Sequence, residues 1–180
     1  NSFGSLAMAG IGTYTKIEGF AFLPITSFMM ALTTFVSQNR GAKEYERAKK
    51  GAHFGLVCSV SLAETIGVLI ALFATPLMRL FVDDPQVIQY GVERAHYATI
   101  LFFLLAYSHG VSAVLRGVGK SVVPMVVMLV CWCLVRVTLL TMLNMLFHNI
   151  LFVYLIYPFT WSLSSITFFI YYHRVDWLHA

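Results

Sequence analysis

This sequence predicts an all-α, polytopic membrane protein with five transmembrane helices, and three observations lead there. Of its 180 residues, 59% are hydrophobic and 11% charged, whereas a soluble domain is about 25% charged. With a mean hydropathy of +0.78, the chain has too little polar surface to coat a globule in water, and lipid is the alternative solvent. Its apolar residues fall into five stretches of about 20 residues or more, the length that crosses a hydrocarbon core. The charges gather between those stretches, basic loops alternating with non-basic ones.

The first stretch covers 6–36 and contains Gly10, Gly12, Gly19 and Pro24. The second covers 53–80, the third 95–115, the fourth 122–147 and the fifth 151–172. None shows the polar face of a helix lying on a soluble core, and all are too long for strands. Backbone groups in lipid must pair within their own segment, which leaves the α-helix. Between the first two stretches stand Arg40, Lys43, Arg47, Lys49 and Lys50. The next loop holds Arg79 and Arg94 against Asp83, Asp84 and Glu93. Arg116 and Lys120 follow without an acid, then His148 and Asn149, and finally Arg174. Eight loop Lys/Arg therefore fall on one face and two on the other. The positive-inside rule puts the first face in the cytoplasm, so the chain is expected to lie in the plasma membrane, starting outside and ending inside. An odd number of spans, and a start at Asn1 in the loop-like Asn-Ser-Phe-Gly-Ser, lead us to expect a further helix upstream. The net charge of +4 is expected to reflect the cytoplasmic loops rather than nucleic-acid binding.

Ionisable residues inside spans are functional hypotheses by default. There are four: Lys16, Glu18, Glu64 and Arg136. Counting from the cytoplasmic ends of the spans, Glu64 lies about 16 Å deep, Arg136 about 21 Å and Glu18 about 27 Å. Lys16 is close enough to the outer interface to snorkel there. For the others two readings stand. Arg136 forms a structural pair with Glu64 or Glu18, or a carboxylate exchanges proton, cation and substrate as the protein changes state. His109, beside Ser108 and Ser112, reads as a hydrogen-bonded core residue, with a proton relay as the alternative. Pro24 and Pro158 are positioned to kink helices and free carbonyls. Tyr171, Tyr172 and Trp177 read as an interfacial belt. Cys58, Cys131 and Cys133 sit in apolar stretches without metal-ligand spacing and read as packing residues. With no nucleotide loop, HExxH or Ser/His/Asp set, neither an enzyme nor a metal or cofactor is expected.

Three patches carry a family resemblance. One is Thr34-Phe35-Val36-Ser37-Gln38-Asn39-Arg40-Gly41-Ala42, followed by Arg47 and Gly51. Another is Leu115-Arg116-Gly117-Val118-Gly119-Lys120-Ser121 with Pro124, and the third is Tyr157-Pro158-Phe159-Thr160-Trp161. Leu80-Phe81-Val82 before Asp83 and Asp84 fits an external loop. In this order and on these faces the patches resemble the multidrug and toxic compound extrusion (MATE) transporters. The resemblance implies helices eight to twelve of twelve, that is, a C-terminal six-helix bundle without its first helix. It further implies export of organic, often cationic, drugs or metabolites, driven by inward Na+ or H+. Its partners would be the bilayer, small organic substrates and the N-terminal bundle of the same transporter. A helix-ten aspartate that some members carry has no counterpart in Leu104-Leu105-Ala106-Tyr107-Ser108. Gly41 and Gly117 are expected to permit sharp cytoplasmic turns, Gln38 and Asn39 to cap the last carbonyls of the first span, and Arg116 and its basic neighbours to anchor at anionic lipid.

Three other functions compete with a drug or metabolite antiporter. A lipid-linked sugar flippase would favour a cavity lined by several cations, where this sequence offers Arg136 and Lys16. A non-transporting membrane scaffold or receptor subunit would need no polar vestibule. An intramembrane enzyme lacks a catalytic set.

Overall fold

The computed structural model describes residues 4–147 and 149–178, and every regular element in them is helical. Asn1, Ser2 and Phe3 of the expected leading loop, and His148 of the fourth loop, lie outside the described residues. Helix α1 (Ser5–Gly41) has 37 residues, about 55 Å at 1.5 Å each. That exceeds the ~30 Å of hydrocarbon it has to cross, so its ends stand among headgroups. It is followed by α2 (Tyr45–Leu72), the short α3 (Ala74–Arg79), α4 (Pro85–Thr99) and α5 (Phe102–Gly117). Then come α6 (Val122–Met128), α7 (Arg136–Phe147) and α8 (Ile150–Arg174). A π-helical segment, Leu129–Val135, carries α6 directly into α7. Four helical stretches are long and apolar enough to cross a membrane, and α4 with α5, bent by 56°, makes a broken fifth.

Two boundaries differ from the sequence expectation. The second span stops at Leu72 rather than residue 80, and α3 takes up the remainder. The third begins at Pro85 rather than residue 95 because Asp84 caps it. The Asp84 carboxylate accepts the Gln86 N–H at 2.8 Å, and Pro85 stands at the first helical position, where its missing N–H is not needed. Arg94, expected in a loop, is thereby part of a helix, and it is buried. Nor do the prolines break their helices: α1 runs on through Pro24 and α8 through Pro158. The break falls instead at Ile100–Leu101, where no proline stands.

Helix α1 is the centre of the assembly, packing against α2, α4 and α5, while α8 joins α5 to α7 and the π segment. Lipid offers helices no hydrophobic drive to associate, so contact depends on small residues that let backbones approach. At Gly117 a Cβ would lie 2.8 Å from the Thr33 carbonyl oxygen and 3.0 Å from Val36 Cβ. Gly117 is therefore a close-packing residue, not the turn glycine expected. In these two turns the positive-φ positions are Lys43 (62°) and Gly119 (83°), two residues past Gly41 and Gly117 respectively. Gly41 itself closes the last turn of α1, with open space around it.

The side chains of this turn are more structural than their charges suggest. Asn39 is buried and donates through Nδ2 to the Phe35 carbonyl at 2.7 Å; Gln38 is exposed. Arg40 donates through Nη1 to the Val118 carbonyl at 2.8 Å and through Nε to the Leu178 carbonyl at 3.4 Å. It thus ties α1 to the next basic turn and to the chain's last described residue, instead of reaching for lipid. Trp177 leaves the expected interfacial belt as well. It stacks on Tyr172 at 5.1 Å and is buried with Leu178 in the core of this end of the bundle. Cys58 is half-buried, Cys131 buried and Cys133 exposed, all three free.

The outward faces are apolar: Phe20, Met30, Phe54, Leu72 and Met145 are all largely exposed. On a soluble monomer such a surface would be an aggregation liability, whereas on membrane-spanning helices it suits contact with lipid or with further helices. Replacing Gly117 by leucine should overpack the α1–α5 contact and cost about 1–3 kcal/mol. Gly41→Ala should stay within about 0.5 kcal/mol. Thermal unfolding in detergent distinguishes the two, and the reverse order would restore Gly41 as the structural glycine.

Candidate functional site

Three elements converge on Glu18. Helix α1 places Tyr14 and Glu18 four residues apart, hence one above the other on the same face. The π segment and the start of α7 bring Trp132 and Arg136, and α8 brings Tyr157, Thr160 and Trp161. Between them lies a cleft of about 210 Å3 lined by Glu18, Phe22, Trp132, Arg136, Tyr157 and Trp161, among others. Arg136 donates to the Thr160 hydroxyl through Nη2 at 2.6 Å and Nε at 3.2 Å. Its guanidinium carbon lies 4.5 Å from the Tyr157 ring centre and 5.2 Å from that of Trp132. The Thr160 hydroxyl in turn donates to the Tyr157 carbonyl at 3.0 Å, which holds the acceptor in place.

Arg94 reaches the same cluster from α4. Its guanidinium carbon lies 3.9 Å from the Tyr157 ring centre and 5.8 Å from that of Tyr14, so Tyr157 serves both arginines as a cation–π surface. Arg94 is 1% exposed, and neither Nε nor Nη1 has a hydrogen-bond partner among the described residues. The Tyr14 hydroxyl, also fully buried, has none either. Glu18 is half-buried and lines the same cleft as Arg136. Lys16 is exposed on another side of α1 and does not line the cleft.

Glu64 stands elsewhere. Its Oε2 accepts the Phe103 N–H at 3.1 Å, in an open groove of about 560 Å3 that also includes Val60, Val68 and Leu69. Phe103 is the second residue of α5, so this carboxylate satisfies one of the donors left free where the third span breaks. One turn along α2, a Cβ on Gly67 would lie 2.5 Å from the Thr99 carbonyl oxygen, on the other side of the same break. Of the two partners expected for Arg136, Glu64 or Glu18, it is Glu18 that shares its cleft, and Glu64 is a backbone acceptor at a helix break. One secondary expectation changes too. His109 has no hydrogen-bond partner at Nε2 among the described residues and is held by edge-on contacts with Phe22 at 5.3 Å and Trp132 at 5.0 Å. Its neighbours are otherwise engaged, Ser108 with Ser164 and Ser165, and Ser112 with Arg116 at 2.8 Å. Arg116, exposed, borders a separate groove with Thr26 and Met30.

The sequence reading missed Arg94, and the signal was present. Asp84-Pro85 marks a helix start, and from there Val87, Gly91, Arg94 and Ala98 recur at helical spacing along the buried stripe of α4. Nothing comparable marks the π segment that precedes Arg136. Among the described residues no group of three His, Cys, Asp or Glu is placed to hold a metal.

Apolar helices that face lipid, a charged cleft inside the bundle and a broken span beside it define a polytopic transporter fold. The chain belongs to the MatE family, whose model matches residues 1–142, and that family is one of transporters. It is 30% identical over 124 residues to the probable multidrug resistance protein NorM of Thermotoga maritima, covering 69% of this chain and 27% of that protein. It is 31% identical over 84 residues to the FAD transporter of Shewanella oneidensis, covering 47% of this chain and 19% of the other. The solved structure of the MATE transporter ClbM in complex with Rb+ superposes with a TM-score of 0.86 at 20% identity, over 96% of this chain and 41% of that one. The chain thus spans about a quarter of the length of the NorM protein it matches.

Glu64→Leu should leave the Phe103 amide without its acceptor and speed its hydrogen exchange about tenfold or more. Glu64→Gln keeps an acceptor oxygen and should change exchange far less. Equal protection in both variants would mean that the carboxylate does not pin the break.

Proposed function

We propose that this chain is part of a secondary antiporter, driven by Na+ or H+, that exports organic molecules by alternating access. The observation that carries this reading is the broken third span, held at its break by a carboxylate that can change charge. Glu64 has a backbone N–H as its partner, whereas Glu18 shares its cleft with Arg136. Glu64 is therefore the better placed to release its partner and take a proton or cation, and doing so alters the fit between α2 and the two halves of the span. The cleft around Glu18 and Arg136 is the part of the substrate cavity contributed by this chain. The rest belongs to the N-terminal bundle of the same transporter.

The names of the relatives, multidrug resistance proteins and an FAD transporter, keep the cargo class wide, so it is stated here as an organic molecule. No enzymatic step is assigned. With Arg94 inside the bundle, Arg79 at the end of α3 is the remaining base of the connection between the second and third spans, which sharpens the charge contrast between the two faces. That contrast supports a multi-pass plasma-membrane protein whose basic turns and C-terminal end lie in the cytoplasm. A flippase of lipid-linked sugars is the second reading, and Arg94 favours it by adding a buried cation beside Arg136.

In the intact transporter reconstituted in vesicles, Glu64→Gln should lower gradient-driven export of organic probes, a cationic and an anionic dye assayed side by side, by about tenfold or more, a change of about 1.4 kcal/mol. Insertion and monodispersity should be retained. Unchanged gradient-driven export in that variant would remove Glu64 from the coupling.

A further inference from the structure

We propose that the Arg94–Arg136–Tyr14 cluster around Tyr157 is an anion site, so that the molecule carried through the cleft bears a carboxylate or phosphate group. The inference rests on the transporter reading and specifies its cargo. Arg94 and Arg136 keep their charge throughout; Arg136 lines the cleft and Arg94 lies behind it against the Tyr157 ring, while among the described residues Glu18 is the one carboxylate in the lining. The set therefore carries an excess positive charge inside an apolar bundle, where an uncompensated charge is expensive. An anionic group brings it to neutrality with Glu18 ionised. A cationic substrate, of the kind the family resemblance implies, would meet two guanidinium groups instead.

The hydrogen-bonding geometry points the same way. Arg94 Nε, Arg94 Nη1 and Tyr14 Oη are buried polar groups without a partner among the described residues. All three can donate, so together they ask for an acceptor. Glu18 does not fill that role for these atoms. Both guanidinium carbons lie within 4.5 Å of the centre of the Tyr157 ring. Arg136 already spends its Nε and Nη2 on Thr160, whereas Arg94, held by the face of the ring, keeps Nε and Nη1 for the paired bonds that carboxylate and phosphate oxygens accept. Trp132, Trp161 and Phe22 line the remainder of the cleft, which suits a substrate whose anionic group is attached to an apolar or aromatic body.

Riboflavin and flavin mononucleotide differ by one phosphate and make the test. In the intact transporter held in phosphatidylcholine discs, flavin mononucleotide should bind about tenfold tighter than riboflavin or better. Arg94→Gln and Arg136→Gln should each abolish that ratio, and Arg94→Lys should keep part of it. Tyr14→Phe removes only a hydroxyl and should lower the ratio by about threefold, which keeps the test decisive if Arg94→Gln does not fold. Equal binding of the two flavins to the parent protein, or a ratio unchanged in Tyr14→Phe and Arg136→Gln, overturns the anion site. Displacement of flavin mononucleotide by added phosphatidylglycerol supports the site with a lipid headgroup as the source of the phosphate. Persistence of flavin binding in that lipid supports a soluble organic anion. Gradient-driven ethidium export without flavin selectivity would leave the transporter standing and the anion site refuted. Flavin selectivity without gradient-driven export of either probe would do the opposite.

Discussion

Hydrocarbon neither donates nor accepts a hydrogen bond, so every backbone group within it must find its partner in the protein. Most of this chain meets that constraint by forming unbroken helix. The exceptions are the places where the structure becomes specific. At Ile100–Leu101 the third span breaks, and a side chain of α2, Glu64, accepts the freed Phe103 amide. At the basic turns the loose carbonyls of Val118 and Leu178 are taken by Arg40. A residue that satisfies such a break becomes part of the architecture even when its charge suggests another role.

The same solvent governs the charged cleft. Arg136 is held by a hydroxyl and two rings, and Arg94 by two rings, so each is kept in the bundle largely by groups that carry no formal charge. Glu18 lines the cleft with Arg136. Tyr157 links the pair and belongs to a Tyr-Pro-Phe-Thr-Trp run that also supplies Thr160 and Trp161. A single turn and a half of α8 thus furnishes the ring, the hydroxyl and one wall of the cleft, in one rigid piece.

Fold class was legible in the sequence because a membrane span is a signal about 20 residues long, and single departures do not erase it. Glu18, Glu64 and Arg136 were legible because an ionisable residue in an apolar run is rare. Arg94 escaped because three acids within the preceding residues made the region look like a loop, although Asp84-Pro85 announced the helix. The turn positions slipped by two residues because an arginine-glycine pair looks the same whether its glycine bends the chain or lets two helices touch. Gly117 does the second and Gly119 the first. Trp177 was misplaced for a related reason: an aromatic residue near a span end suits a lipid interface and a buried corner equally. The partner of Glu64 lies 39 residues away on another helix, and no local pattern carries that information.

The π-helical segment at Leu129–Val135 ends at the residue before Arg136. An α-helix advances about 100° per residue, and a π segment advances less, because each of its turns holds more residues. The compass bearing of Arg136 is therefore an accumulated phase, set by how many residues remain in the wide winding before it. Were that winding to travel a residue or two along the helix, as a dislocation moves through a crystal, the guanidinium would swing round the axis with every peptide still bonded. Such a shift would turn the fourth span about its own axis, which neither a hinge nor a rigid tilt does, and its pointer would be Arg136, the cation that lines the cleft.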